Sequence, residues 1–204
     1  MLLKIYPENP APRHIRTLVN ALQKGQVVIF PTDTVYAIGC DLFHPDAIDR
    51  IERIKGSKKG KASFSMLVKN LSMLSEFTRP IDNAIFRLMR KNMPGPFTFI
   101  LNANSQVPKL FQSRRKTIGI RIPDNTILSM MIEELGHPLV STSIHDEDEI
   151  IDYTTDPELI HEKYGQLVDY VVDGGYGDNE ASTVVDCTDE EPVITRQGKG
   201  ILVI

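Results

Sequence analysis

The chain has 204 residues, 41% of them hydrophobic and 25% charged, enough for a substantial core and without the long apolar run that a membrane span needs. Its two cysteines, Cys40 and Cys187, are too few for a disulfide framework or a zinc-ligand set, and the opening MLLKIYPENPAP lacks the apolar core and cleavage site of a signal peptide; the expectation is a cytoplasmic protein with reduced thiols and no membrane partner. The net charge of −4 conceals an asymmetry: residues 1–49 hold four Lys/Arg and five Asp/Glu, residues 50–121 sixteen and three, and residues 122–204 three and nineteen. The basic middle third suits a polyanion, either nucleotide phosphates or nucleic acid, unless the acidic last third neutralises it across the folded surface.

In chain order, residues 13–24 carry Ile15, Leu18, Val19 and Leu22 at helical spacing, and Gly25 closes that helix. Residues 27–30 (VVIF) read as a buried strand that must stop at Pro31, which cannot donate to a ladder. Thr32, Asp33, Thr34 and Tyr36 follow at once. A polar cluster just past a buried strand is where open α/β sheets commonly place ligand contacts; the plainer alternative is a loop whose hydroxyls cap the next turn. Residues 45–55 read as a helix with Pro45 in its first turn. Lys55 to Lys61 (KGSKKGK) puts four lysines in seven residues, which is either a solvated loop or an anion clamp that closes on phosphates.

A strand is expected over 64–68, and helices over 71–77 and 83–91. Pro94-Gly95-Pro96 is a hard turn before the strand 97–101. Residues 108–113 read as a short helix ahead of Arg114-Arg115-Lys116, and 117–122 as a strand carrying Arg121. Asn125 or Thr126 caps a helix over 127–135 that Gly136 ends. Then come a hydroxyl-rich strand at 139–144, an acidic exposed loop at 146–149, and a helix from Asp156-Pro157 to about residue 164. The last elements are a strand at 168–172, broken by Gly174-Gly175, and a hairpin of 183–186 with 192–196. Strands and helices intermix throughout, so residues 1–204 read as one α/β domain.

Six stretches, in order, carry a family likeness. Pro31-Thr32-Asp33-Thr34-Val35-Tyr36-Ala37-Ile38-Gly39 resembles the P-T-[ED]-T-x-Y-G-[IL]-G signature of the YrdC/YciO family, whose characterised members are threonylcarbamoyl-adenylate synthases acting in tRNA modification. Pro94-Gly95-Pro96-Phe97-Thr98, Thr117-Ile118-Gly119-Ile120-Arg121-Ile122-Pro123-Asp124, Ser141-Thr142-Ser143, Ser182-Thr183-Val184-Val185-Asp186 and Arg196-Gln197-Gly198 resemble its later motifs. The resemblance spans residues 15–200 and implies a twisted mixed sheet with flanking helices around a basic groove. It implies a reaction of L-threonine, bicarbonate and ATP, with Mg2+, to threonylcarbamoyl-AMP and pyrophosphate. It places Thr32, Tyr36, Arg121, Ser141 and Ser182 on threonine, and Lys55, Thr117, Ser143 and Arg196 on ATP. It names no catalytic nucleophile and no metal ligand. The family groove has also been associated with RNA, so double-stranded RNA or tRNA is the alternative ligand. The family's longer members carry a further C-terminal domain, which is not expected here.

The departures fall on the nucleotide-facing motifs. The family's K-x-R-P reads Lys55-Gly56-Ser57-Lys58, so Ser57 stands where the family has a phosphate-binding Arg, and nearby lysines lack its fork. The P-L-x-x-H element has no clean equivalent at residues 65–69. S-T-S-A-N becomes Ser141-Thr142-Ser143-Ile144-His145; His145 replaces the Asn as a donor or is an ordinary surface histidine. These changes resemble the YciO branch.

Overall fold

The computed structural model describes residues 1–56, 63–108, 116–144, 154–189 and 191–204. The chain opens with β1 (Leu2–Lys4), α1 (Pro12–Gln23), β2 (Val28–Phe30) and β3 (Ala37–Asp41). α2 (Pro45–Ile54), β4 (Ser65–Leu67), α3 (Leu71–Ser75), α4 (Asn83–Asn92) and β5 (Phe97–Asn102) follow. Then come β6 (Thr117–Arg121), α5 (Thr126–Leu135), β7 (Leu139–Ser143), α6 (Pro157–Tyr164), β8 (Tyr170–Asp173), β9 (Thr183–Asp186) and β10 (Val193–Arg196). Among the described residues, ten strands join one mixed sheet in the order β1-β8-β2-β3-β7-β4-β6-β5-β9-β10.

Local chemistry explains most element ends. Pro12, Pro45 and Pro157 start three helices, where the missing N–H costs nothing. The Asn125 side chain accepts from the Leu128 amide at 3.1 Å, and Gly136 ends α5 in the left-handed region at φ 80°. The Asp156 carboxylate accepts from the Glu158 amide at 2.8 Å.

Alternation along the strands sorts the core into two faces. On one, Ile38, Cys40, Met66, Val140, Ile118, Ile120, Phe99 and Val185 pack with the apolar stripes of α2, α4 and α6. On the other, Val28, Phe30, Ala37, Leu67, Leu139 and Val172 meet the apolar faces of α1 and α5. That second face changes character toward the middle of the sheet. Register places Gly39, Ser141, Ser65 and Gly119 in one row across β3, β7, β4 and β6. Ser65, Gly119 and Ser143 stay partly exposed there. Small side chains keep this floor low: a Cβ at Gly119 would come within 3.1 Å of both Ser65 Oγ and Thr98 Cγ2.

Two strands depart from the sequence expectation. Residues 37–41, for which the sequence suggested no element, form β3, which turns back antiparallel on β2 and pairs β7 along its other edge. Residues 2–4, not expected as a strand, add in parallel to β8. The helix expected over 71–77 closes after five residues, and the strand expected over 168–172 begins at Tyr170. The short helix at 108–113, the acidic loop at 146–149 and the lysine run beyond Gly56 fall wholly or largely outside the described residues. Among the described residues, no helix is long and apolar enough to cross a membrane.

Candidate functional site

The β2–β3 connection, residues 31–36, is the centre of the site. Thr32 is buried and its hydroxyl stitches the loop, donating to the Val35 carbonyl at 2.7 Å and accepting from the Thr34 amide at 3.0 Å. This self-bonding presents Asp33 and Thr34 to Arg121, which projects from the end of β6. Arg121 Nη2 donates to Asp33 Oδ1 at 2.7 Å and to Thr34 Oγ1 at 3.0 Å. Side-chain exposure is 10% for Arg121 and 8% for Asp33. Burial pulls the Arg121 pKa down, Asp33 pushes it back up, and Arg196 adds a further lowering through like charge.

Arg196, at the end of β10, donates from Nη2 to the Ser182 carbonyl at 2.7 Å and to its Oγ at 3.3 Å. Ser182 Oγ lies 2.8 Å from Thr98 Oγ1. Register sets Thr98 opposite Arg121, one residue along from the Phe99–Ile120 pair. Arg121, Ser182 and Arg196, far apart in sequence, therefore meet at one end of the small-residue floor.

The other end holds the second group. Ser143 and Thr117 lie two residues beyond the Ser141–Ser65–Gly119 row, on the same face. Thr117 and Arg121 thus sit on one face of β6, about 13 Å apart along the strand. Lys55, at the α2 C-cap, donates to the Ser143 carbonyl at 2.5 Å and reaches Thr142 Oγ1 at 3.4 Å. Burial lowers its pKa, so its ammonium gains from an anion placed beside it. Ser141 is buried mid-floor between the two groups. Ser57 and His145 lie outside the described residues.

Tyr36 is 1% exposed and packs beneath the loop that covers the site. Its hydroxyl donates to the Gly175 carbonyl at 2.7 Å and accepts from the Gly174 amide at 3.3 Å, anchoring the 174–180 loop over the 31–36 loop. Gly175 holds a φ of 90°, which a side chain would resist. Burial, then the nearby Asp173 and Asp156 charges, raise the Tyr36 pKa against the Gly174 hydrogen bond. The stability that this proton contributes is present below about pH 10 and is lost as pH rises beyond it. Tyr36→Phe should cost about 1 kcal/mol and flatten the alkaline branch of a stability–pH curve.

The family resemblance assigns no role to Asp33, Asp178 or Lys199. Lys199 Nζ pairs with Asp178 Oδ2 at 2.7 Å and donates to the Asp33 carbonyl at 3.0 Å. The Asp178 amide donates to the Thr34 carbonyl at 3.1 Å, and the Gly177 amide to the Thr155 carbonyl at 2.8 Å. The hydrogen bond from Lys199 is the main cause holding the Asp178 pKa below the usual carboxylate range. That latch is intact above about pH 3.9 and is lost as pH falls below it. Lys199→Met should speed hydrogen exchange at the Gly177 and Asp178 amides by about fivefold or less, as befits a half-exposed ion pair. The only sequence signals for these residues were Asp33's place between two threonines and Lys199's place directly after Arg196-Gln197-Gly198.

Two arginines at one end of a low polar floor, a half-buried lysine at the other, and a threonine-rich loop between strands mark out the candidate site of this α/β protein. The family model described as Telomere recombination (Sua5/YciO/YrdC) matches residues 20–198, and the chain belongs to that family. It is 41% identical to the uncharacterized protein YciO of Escherichia coli K12, over 96% of this chain and 94% of that one. The crystal structure of E. coli YciO superposes with a TM-score of 0.91, covering 98% and 97% of the two chains. A threonylcarbamoyl-AMP synthase of Coxiella burnetii is 27% identical over 84% of this chain and 90% of its own. The structure of Pyrococcus abyssi Sua5 complexed with L-threonine matches at a TM-score of 0.88 and 25% identity, covering 97% of this chain and 57% of that one.

Proposed function

We propose that this protein joins L-threonine, bicarbonate and ATP into threonylcarbamoyl-AMP, releasing pyrophosphate, and so serves the threonylcarbamoyladenosine modification of tRNA. The observation that carries this reading is the buried Arg121 guanidinium, held by Asp33 and Thr34 beside Ser182 and Arg196. The threonine complex of Sua5, a family member of the same fold, supports it.

In this reading threonine's free amine and bicarbonate condense to a carbamate with loss of water, and a carbamate oxygen then attacks the α-phosphorus, with pyrophosphate as the leaving group. No protein nucleophile is required. The chain's task is to hold the amino acid, bicarbonate and ATP in line and to neutralise charge as it develops. Arg121 takes the amino acid's carboxylate with its planar fork, and Ser141, Ser182 and the Thr32–Tyr36 loop shape that end. Lys55 and Arg196 face the phosphates, with Thr117 and Ser143 hydroxyls along the floor. Mg2+, arriving with the nucleotide, would supply further neutralisation of the phosphate charge.

Calorimetric titration tests this directly. Each ligand completes the other's pocket, so ATP should tighten threonine binding and threonine should tighten ATP by the same factor. Independent binding of the two would contradict the proposal. Duplex-RNA binding that falls steeply with salt, without any threonine–ATP coupling, would support the RNA alternative instead.

A further inference from the structure

β10 is the last strand of the sheet, and among the described residues no strand pairs with its outer edge. Residues 191–197 are all exposed, with Val193 at 57% and Ile194 at 43%. An open edge presents a row of N–H and C=O groups that a further strand can pair. The polar side chains leave this edge clear. Thr195 Oγ1 lies 3.5 Å from the Val184 carbonyl, and Arg196 Nη2 donates to the Ser182 carbonyl at 2.7 Å, so both turn back over β9. The edge is also short. Pro192 lacks an N–H, and a bulge between Ile194 and Arg196 interrupts the ladder with β9. Such features oppose open-ended association and leave room for one brief register.

The sequence along the edge is complementary to itself. Asp189 and Glu191 precede the strand, whereas Arg196 ends it and Lys199 follows. Arg196 bonds to neutral groups of Ser182, so its charge is free to act on a neighbour. Antiparallel pairing with a second copy brings each acidic end to a basic end. Opposed side chains in such a pair lie on the same face of the sheet, so a two-fold axis must pass through a residue that meets its own copy. Centred on Ile194, the pairing sets Val193 of one copy against Thr195 of the other, a run of β-branched cross-strand pairs. It also brings Glu191 beside Arg196 and Asp189 opposite Lys199. Centring on Thr195 would instead oppose Ile194 to Arg196, and centring on Val193 would oppose Glu191 to Thr195.

We infer that β10 is a homodimer edge: two copies pair β10 with β10 antiparallel about a two-fold axis at Ile194, and the sheet runs on from one copy into the other. The inference stands apart from the synthase reading. A single strand pair falls below the roughly 1,200 Å² of a standard interface, so the dimer forms with a Kd of about 1–100 µM. The interface adjoins the candidate site, because the paired strand ends in Arg196 and leads on to Lys199.

Disulfide trapping reads the register. Ile194→Cys places two thiols across the axis, where opposed Cα atoms are about 4.5–5.5 Å apart, within disulfide reach. The native Cys40 and Cys187 are buried and do not compete. Under mild oxidant, Ile194→Cys should form a covalent dimer about tenfold or more faster than Leu159→Cys, an exposed position on α6, because pairing raises the effective thiol concentration. Equal rates overturn the inference. Sedimentation velocity of the wild type should show the mass rising from one chain to two between about 1 and 200 µM. Ile194→Lys, which sets like charges face to face, should stay a single chain with unchanged circular dichroism. A wild type that remains a single chain throughout, or an Ile194→Lys protein that still dimerises, overturns the inference. Should Ile194→Lys fail to fold, the wild-type sedimentation and the trapping rates decide.

Discussion

Arg121→Ala should lower the unfolding free energy by about 3–5 kcal/mol and abolish threonine binding. The substitution removes the cation facing the Asp33 carboxylate, whose side chain is only 8% exposed, and strands a buried charge. Thr34 also loses a donor. The loss should show as a lower denaturant midpoint at unchanged slope, since the surface exposed on unfolding stays the same. Replacing both partners separates the two roles of the pair. Asp33→Asn with Arg121→Met removes both charges, so it should recover much of the stability and none of the threonine binding. A double variant as unstable as Arg121→Ala would show that the pair's charge is not the source of the loss.

Phe30→Ala should cost about 3–5 kcal/mol and weaken threonine binding with it. Phe30 is fully buried at the last position of β2, directly before the 31–36 loop. Its ring packs so closely on Gly39 that a Cβ there would sit 2.7 Å from Cζ. Truncation leaves a void beneath the loop that sets Asp33 and Thr34 against Arg121. Thermal unfolding and threonine titration of the same sample should therefore shift together. A large stability loss with threonine affinity unchanged would uncouple the loop from its packing.

Local signals made most helices readable: Pro45 and Pro157 at first turns, Asn125 and Asp156 as caps, Gly136 at an end. The motifs around Thr32, Arg121, Ser182 and Arg196 were equally legible, and the fold links their side chains in one cluster through Thr34, Asp33 and Thr98. β3 was not legible. Its AIGCD sequence has one β-branched residue, and its strand character comes from pairing with β2 and β7, partners that no local pattern names. The meaning of Asp33 was hidden for the same reason. Its partner is 88 residues away, and only sheet register shows that the carboxylate and the guanidinium meet. Tyr36 shows the same limit: its motif was legible, but its bonds to Gly174 and Gly175, which anchor the covering loop, join residues 138 and 139 positions apart.

The most direct measurement is pyrophosphate release from ATP and Mg2+ with threonine and bicarbonate, using serine as the control amino acid. The account predicts release that depends on both threonine and bicarbonate and is much weaker with serine. A folded protein that releases no pyrophosphate under these conditions, or releases it equally without threonine, would contradict it.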